Sequence, residues 1–378
     1  MSSIKKALVV GGGIGGLSAG IALRKVGVDV DLIELHPAYN VYGVGIIQPS
    51  NALRALDSLG LADECIRRGS PYNHFNMGLA DGTPIGTSGT PGLGHLPAHN
   101  GISRRVLHEV ILEGTINAGV HLFMGKTVTA LDDTGAFVDV TFSDGSTGTY
   151  DIVVGADGIN SQIRRLLFGD AFKPHYTGQS VWRYAFDRIP ELDNALMYFG
   201  RKTKVGLVPM APDKMYMFCV TSEGDDFFIP EDELIPRLKA HLSEYPSPIV
   251  AALIDQITDP KGVICRPLET ILVPKPWYKG RVVLIGDAVH GTIPQLGQGA
   301  SLAIEDAVVL GELIGQESDI QTIFETFMNR RFDRCKMVVD VSAQIGEWEQ
   351  LDWKGQLPEG VNIGRIMGQT LGAMAAPI

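Results

Sequence analysis

Three glycines, Gly11, Gly13 and Gly16, stand between two short apolar runs near the start of the chain. The runs at 7–10 and 30–33 are typical of buried strands, and residues 17–26 carry apolar side chains at roughly helical spacing. Glycine at these positions permits a tight turn and a close approach to the backbone. The pattern predicts a strand–helix–strand unit of an α/β fold.

The glycine pattern alone is weak, because 45 of the 378 residues are glycine and about 0.6 matches are expected by chance. Its context adds specificity, since a strand precedes it, a helix follows it, and the second strand ends in Glu34. A helix N-terminus offers N–H groups to a pyrophosphate, and a carboxylate there can accept hydrogen bonds from a ribose diol. The segment therefore predicts a dinucleotide site, with a plain glycine-rich turn and a solvated carboxylate as the alternative; its candidate residues are Gly11, Gly13, Ile14, Gly15, Gly16 and Glu34.

Charge and cysteine content exclude several classes of protein. The chain has 32 Lys and Arg residues against 43 Asp and Glu, a formal net charge of −11, which argues against nucleic acid as a partner. Its four cysteines lie far apart with no C-x-x-C pair, which fits neither a disulfide framework nor a zinc site and suits a reducing cytoplasm. Glycines interrupt the uncharged stretch 7–23, so we expect neither a signal peptide nor a membrane span. We therefore expect a soluble, cytoplasmic protein without a metal.

The rest of the chain predicts a second, β-rich lobe inserted into the first. Residues 180–220 alternate apolar and polar side chains, as in an antiparallel sheet with one covered face. Residues 121–150 predict a meander of strands, and a long helical region is expected from about 300 to 341. Two more strand–loop–helix segments stand out: 152–164, which contains Gly-Ala-Asp-Gly, and 283–300, which contains Gly-Asp and later Gly-Gln-Gly-Ala.

These motifs, in this order, resemble the single-component FAD-dependent aromatic hydroxylases, the family of p-hydroxybenzoate and salicylate hydroxylases. The resemblance covers nearly the whole chain to about residue 340. It implies a Rossmann-like FAD-binding domain over 1–72, 100–172 and 277–345, and a β-sheet substrate domain over 73–99 and 173–276. It assigns no role to residues 346–378. Beyond the first motif, the FAD contacts that it implies are Gly45, Ile46, Arg104, Val128, Asp157, Asp287, Pro294, Gly297, Gly299 and Ala300.

The resemblance also implies a reaction. NADH or NADPH reduces FAD, O2 adds to the flavin C4a, and the resulting hydroperoxide hydroxylates a small aromatic or heteroaromatic substrate. No covalent catalytic residue is expected, since the cofactor carries the chemistry. Candidate substrate contacts are Arg183, Tyr198, Tyr216 and Pro294. For the arginine and the two tyrosines, ordinary sheet packing or a surface salt bridge is the alternative. His290 is expected to hold its loop rather than to act in catalysis. The sequence leaves open the substrate, the choice of nicotinamide and whether the protein forms a homo-oligomer.

Other classes share parts of this pattern. A flavin halogenase would carry a W-x-W-x-I-P segment, which is absent, and a disulfide reductase would carry a redox cysteine pair. An FAD-dependent oxidase or reductase without oxygen insertion, or a non-catalytic FAD-binding protein, remains open from the sequence.

Overall fold

The computed structural model describes residues 4–39, 43–224 and 229–378, which form a mixed α/β structure with four sheets. The strands, numbered in chain order, are β1 Lys6–Val10, β2 Asp29–Glu34, β3 Gly45–Pro49, β4 Ser70–Tyr72, β5 Phe75–Leu79, β6 Pro84–Ser88, β7 His99–Ser103, β8 His121–Met124, β9 Val128–Asp133, β10 Val138–Phe142, β11 Thr147–Tyr150, β12 Ile152–Gly155, β13 His175–Asp187, β14 Ala195–Phe199, β15 Thr203–Pro209, β16 Lys214–Ser222, β17 Ile264–Thr270, β18 Tyr278–Lys279 and β19 Val282–Leu284. The helices are α1 Ile14–Lys25, α2 Ser50–Leu59, α3 Ala62–Arg68, α4 Arg104–Asn117, α5 Gln162–Phe168, α6 Glu231–Leu242, α7 Pro248–Ile254, α8 Asp287–His290, α9 Gly299–Gln316, α10 Ile320–Trp353 and α11 Ile363–Met374.

A six-stranded sheet holds the predicted strand–helix–strand unit, in the order β18-β19-β12-β1-β2-β8. The β1 strand pairs in parallel with β2 and β12, and β12 pairs in parallel with β19. Four of the five residues of β1 are buried, as expected for a parallel strand covered on both faces. The carboxyl ends of these strands therefore meet at one edge, where α/β sheets bind their ligands.

A seven-stranded sheet forms the second layer, in the order β17-β13-β16-β15-β14-β5-β6. Residues of β13, β16 and β15 pair in antiparallel register, which confirms the antiparallel sheet predicted for 180–220. Strand β14 pairs with β5 in parallel, so residues near 75 join those near 195. This architecture is the predicted Rossmann-like α/β fold with a β-sheet layer inserted into it.

Three predicted elements differ in detail. Within 121–150 only β9, β10 and β11 form a meander, because β8 pairs in parallel with β2. The helical region expected at 300–341 is two helices, α9 and α10, and Asp319 caps the second through a hydrogen bond to the Thr322 N–H. Helix α10 continues to Trp353, so the predicted division at residue 346 falls inside a helix. In the described ranges, no helix is both long and apolar enough to cross a lipid bilayer.

Candidate active site

A cavity of about 1110 Å³ lies against both large sheets. Pockets for a single drug-sized ligand are usually roughly 300–1,000 Å³, so this volume is enough for more than one small molecule. Its lining includes the β1–α1 loop, the end of β2, the loop after β19, several strands of the seven-stranded sheet, and residues of α10 and α11. The predicted site residues that line it are Gly13, Ile14, Gly15, Glu34, Gly45, Ile46, Arg104, Arg183, Tyr216, Asp287, Pro294, Gly297, Gly299 and Ala300.

The β1–α1 loop forms one end of the cavity. Gly11 has φ +110°, and a β-carbon at Gly16 would lie 1.9 Å from the Gly11 carbonyl oxygen, so both positions require glycine. At Gly13, by contrast, a β-carbon would meet nothing within 4 Å. Gly13 is the N-cap of α1 and makes no side-chain cap, so the first-turn N–H groups of the helix are open to the cavity. This arrangement provides an anion site of the kind that binds a pyrophosphate.

The Glu34 carboxylate is hydrogen-bonded to the backbone of the glycine loop. It accepts hydrogen bonds from the Gly12 N–H at 2.8 Å and from the His36 N–H at 3.0 Å. It is half-buried and lines the cavity beside the glycine loop. A carboxylate fixed in this way retains lone pairs for ribose hydroxyls.

Arg104 adds a positive charge to the same cavity. It is the first residue of α4, and its N–H donates to the Val44 carbonyl at 3.0 Å. A β-carbon at Gly43 would lie 2.9 Å from Arg104 Cδ, so the loop leading to β3 packs closely on this side chain. In the part of the chain that the structure describes, the Arg104 guanidinium has no hydrogen-bond or ion-pair partner. It is therefore available for a phosphate or another anion.

The loop after β19 supplies the next wall. Pro294 begins a 3-10 turn, Gly297 has φ +66°, and α9 starts at Gly299. Asp287 lines the cavity, and part of its surface is exposed there. The surrounding protein nevertheless shields its carboxyl group from bulk water, which raises the pKa of that group. Because the α9 N-terminus also lines the cavity, its N–H groups and its dipole favour negative charge there.

A buried ion-pair network fixes that loop. Asp306 accepts hydrogen bonds from the Gly286 N–H at 2.9 Å, His290 Nε2 at 2.6 Å and Arg331 Nε at 2.7 Å. His290, Asp306 and Arg331 are each fully buried. His290 thus holds its loop, as expected, and does not line the cavity.

Two predicted substrate residues form part of the opposite wall. Arg183 on β13 lines the cavity, and burial lowers the pKa of its guanidinium to about 10. Within the described ranges it forms neither a hydrogen bond nor an ion pair. Tyr216 on β16 is buried, which raises the pKa of its hydroxyl, and its ring packs on Gly45, where a β-carbon would lie 2.0 Å away.

The structure does not support the predicted contact between Tyr198 and the substrate. The Tyr198 ring belongs to the core beneath the seven-stranded sheet and does not line the cavity, whereas its neighbours Met197 and Phe199 do. Successive side chains of a strand point to opposite faces, so Tyr198 faces the core while Met197 and Phe199 face the cavity. Tyr198 is therefore placed away from any substrate in the cavity.

Asp157 and Val128 also lie outside the lining. The Asp157 carboxylate accepts the Ser161 hydroxyl and the N–H groups of Gln162 and Ile163, at 2.7 and 3.0 Å for the two amides. These bonds satisfy N–H groups of the first turn of α5, which is a structural role. Val128 is fully buried at the start of β9. Direct FAD contacts by either residue stay predictions.

The family model described as "FAD binding domain" matches residues 5–342. The chain belongs to this FAD-binding family. Among curated relatives, the putative FAD-dependent monooxygenase YetM of Bacillus subtilis is 34% identical over 346 residues, covering 90% of this chain and 93% of the relative. The 2-heptyl-3-hydroxy-4(1H)-quinolone synthase of Pseudomonas aeruginosa is 31% identical and covers 90% of both chains. The crystal structure of Klebsiella pneumoniae HpxO complexed with FAD and uric acid superposes with a TM-score of 0.83 at 26% identity, covering 100% of this chain and 98% of that one.

These findings confirm the predicted family, the FAD cofactor and the class of flavoprotein monooxygenases. The residues present fit the cofactor. Open N–H groups at α1 and the unpaired Arg104 suit a pyrophosphate, and the lack of a β-carbon at Gly13, Gly297 and Gly299 leaves room for close contact with the backbone.

Sequence reasoning missed a second polar cluster at the cavity wall, which we call the amide cluster: Gln179, Lys204, Gln295 and Glu349. Lys204 pairs with Glu349, and both side chains are more than nine-tenths buried. Gln179 donates from Nε2 to Glu349 Oε2 at 3.1 Å. Glu349 and Trp353 lie on α10, so residues beyond 346, for which no role was predicted, contribute to the cavity.

A group of aromatic rings was missed as well. His99 lines the cavity, is 5% exposed, and stacks on Tyr72 at 5.1 Å between ring centroids, while Phe75 meets it edge-on at 5.9 Å. Both ring nitrogens of His99 lack partners among the described residues. Burial lowers the pKa of His99 to about 4, so the imidazole is neutral at pH 7. The isolated histidine in the sequence carried no signal of this environment.

Proposed function

We propose that this flavoprotein monooxygenase uses NADH or NADPH and O2 to hydroxylate a small aromatic or heteroaromatic ring. The observation that carries the proposal is the continuity of the cavity. The same space is lined by the α1 N-terminus and Glu34 at one end and by Arg183 and Tyr216 on the seven-stranded sheet. A dinucleotide bound at the glycine loop and a substrate bound at Arg183 would therefore occupy the same cavity.

When bound and reduced by a nicotinamide, FAD supplies the chemistry that activates O2 and delivers one oxygen atom to an electron-rich ring. The protein's own groups position the ligands and stabilise negative charge on them. The α9 N-terminus, with Gly299 and Ala300 in the lining, offers N–H donors and a positive dipole end to negative charge on the ligand. These donors are preorganised because Asp306 fixes the loop before them.

Arg183 suits an oxygen atom of the substrate. A half-buried, unpaired guanidinium attracts a phenolate, a carboxylate or a carbonyl oxygen, and it lowers the pKa of a hydroxyl that it contacts. An ionised hydroxyl makes its ring more electron-rich, which favours attack by an electrophilic oxygen. Apolar neighbours, among them Val181, Phe218 and Leu268, line the same cavity and limit the access of water.

The relatives suggest where to search for the substrate. One of them is named for a 4(1H)-quinolone, and the structure of HpxO contains uric acid, so both rings belong in a substrate panel with phenols and hydroxybenzoates. We expect purified protein to be yellow and to oxidise NADH or NADPH faster when the correct ring is present. With ¹⁸O2, mass spectrometry should find one ¹⁸O atom in the product.

Arg183→Met provides the matched variant, because it keeps the length of the side chain and removes its charge. It should keep FAD and lose the acceleration by the substrate. If nicotinamide oxidation instead returns all of the O2 as hydrogen peroxide with every ring tested, the chain is an oxidase or a reductase. If FAD is bound and no nicotinamide is oxidised, it is a non-catalytic FAD protein.

A further inference from the structure

Gln295 carries an unsatisfied carbonyl into the cavity. It follows Pro294 in the 3-10 turn, lines the cavity, and is 7% exposed. Its Oε1 has no hydrogen-bond partner among the described residues. Buried carbonyl oxygens without a donor are uncommon, since their desolvation is costly, and such an atom in a binding cavity points to a donor on the ligand.

The orientation of this amide is fixed by its neighbours. Gln295 Nε2 donates to Gln179 Oε1 at 2.9 Å and lies 3.3 Å from Glu349 Oε2. Both partners are acceptors, so rotating the amide by half a turn would set its oxygen against two other oxygens. Glu349 is itself held by Lys204, and Gln179 donates to Glu349. The amide cluster therefore fixes Oε1 as the atom that is free to meet a ligand.

The cluster lies with the sheet that carries Arg183. Gln179, Val181 and Arg183 alternate along β13 and so share one face of the sheet. Lys204 on β15 and Val181 on β13 both pair with Val220, which places them in one row across that sheet. The wall thus presents two unlike groups to the substrate: a cation that donates hydrogen bonds and a neutral carbonyl that accepts one.

Resting on the proposed function, we propose that Gln295 Oε1 accepts a hydrogen bond from a ring N–H of the substrate. The enzyme then selects N–H heteroaromatic rings over rings without that donor. A hydroxyl beside Arg183 tends to lose its proton, so it is a poor donor. A lactam carries both groups on one ring: an N–H that can donate to Gln295 and an oxygen that can pair with Arg183. Glu349 is a positioning residue, because it fixes the Gln295 amide without being needed as a contact.

Two matched pairs of probes isolate the N–H group, because oxygen replaces it with little change of shape: 4(1H)-quinolone with chromone, and 2(1H)-pyridone with 2-pyranone. Dissociation constants are measured by calorimetry on the oxidised, FAD-loaded protein without nicotinamide. Losing a donor opposite a buried acceptor weakens binding by about tenfold or more. We therefore expect the wild type to bind at least one N–H probe about tenfold more tightly than its oxygen counterpart.

Gln295→Met keeps the length of the side chain and removes the acceptor, so the preference should fall to within about twofold. Glu349→Gln should reduce the preference as well, because an amide at 349 allows the Gln295 amide to turn. Gln316→Met, at the exposed end of α9, is the matched control and should keep the wild-type preference. FAD absorbance is recorded for every variant.

The proposal is overturned if neither N–H probe binds more tightly than its oxygen counterpart, or if the preference survives in Gln295→Met. It is also overturned if Gln295→Met no longer binds FAD, because the cofactor would then be the donor to Oε1. Failure of the proposed function is a separate result. It would appear as no ¹⁸O incorporation with any ring, whatever the ratio of the binding constants.

Discussion

His290 Nε2 lies 2.6 Å from Asp306 Oδ2 in a fully buried pair, and the other carboxylate oxygen of Asp306 lies 2.7 Å from Arg331 Nε. Burial by itself would raise the pKa of Asp306, but the charges of His290 and Arg331 hold it below its usual range. The carboxylate is therefore ionised, and it fixes the loop that carries Asp287 and Pro294.

Asp306→Asn should destabilise the protein by about 3–5 kcal/mol, because it leaves Arg331 with an incompletely compensated buried charge. Urea unfolding monitored by circular dichroism measures this difference. Glu233→Gln removes the carboxylate of an exposed pair with Arg237 and should cost less than about 1 kcal/mol. A cost for Asp306→Asn as small as that of the surface variant would contradict the role of the network.

Gly13→Ala and Gly16→Ala separate binding from folding. The backbone at Gly13, with φ −78°, suits any residue, and the β-carbon meets no protein atom within 4 Å. Apo-protein stability should therefore change little, while the dissociation constant for FAD rises about tenfold as the methyl group meets the pyrophosphate. Gly16→Ala should instead lower the melting temperature of the apo-protein or prevent folding, since its β-carbon would meet the Gly11 carbonyl. Equal FAD affinity for Gly13→Ala and wild type would argue against the pyrophosphate at this turn.

Asp287→Ala and Asp157→Ala test which aspartate contacts the cofactor. Asp287 lines the cavity, so its loss should raise the dissociation constant for FAD by about tenfold or more. Asp157 caps α5, so its replacement should cost about 1–2 kcal/mol of stability and leave FAD affinity within about twofold. Flavin fluorescence titration of the apo-proteins gives both constants. A loss of affinity in Asp157→Ala equal to that in Asp287→Ala would restore the direct contact predicted from the sequence.

His99 makes the folded protein sensitive to acid. Its pKa is about 4 when folded and about 6.5 in an unfolded chain, so between these values the unfolded chain binds a proton that the folded protein does not. Stability therefore rises with pH through this window, and lowering the pH from 7 to 5 costs about 2 kcal/mol at this residue.

His99→Phe keeps an aromatic ring against Tyr72. The loss of stability between pH 7 and pH 5 should therefore be about 2 kcal/mol smaller in this variant than in the wild type. Urea midpoints of the holoenzyme at pH 5 and pH 7 provide the measurement. Tyr72→Phe changes the same group of rings without removing the titrating residue, so this variant should lose as much stability between pH 7 and pH 5 as the wild type does. An unchanged loss in His99→Phe would show that other groups dominate the acid response.

The nucleotide-binding half of the site was predictable because its signals are local. Gly11 to Gly16 and Glu34 lie within one strand–helix–strand unit, and backbone geometry alone restricts Gly11 and Gly16. The amide cluster was not predictable, because Lys204 and Glu349 are 145 positions apart and neither belongs to a motif. The error at Tyr198 has another cause. Alternation shows that a strand has two faces, but only the packed sheet decides which face meets the cavity.

Helix α10 carries two residues that hold parts of the site in place. Arg331 donates to Asp306, which in turn bonds the loop before α9, and Glu349 fixes the Gln295 amide. The two residues are about 27 Å apart along one helix without an internal break. A shift of this helix would therefore move both Arg331 and Glu349 away from their partners. Laboratory evolution toward new rings should therefore succeed more readily through exchanges on the sheet strands than through insertions or prolines in residues 331–349.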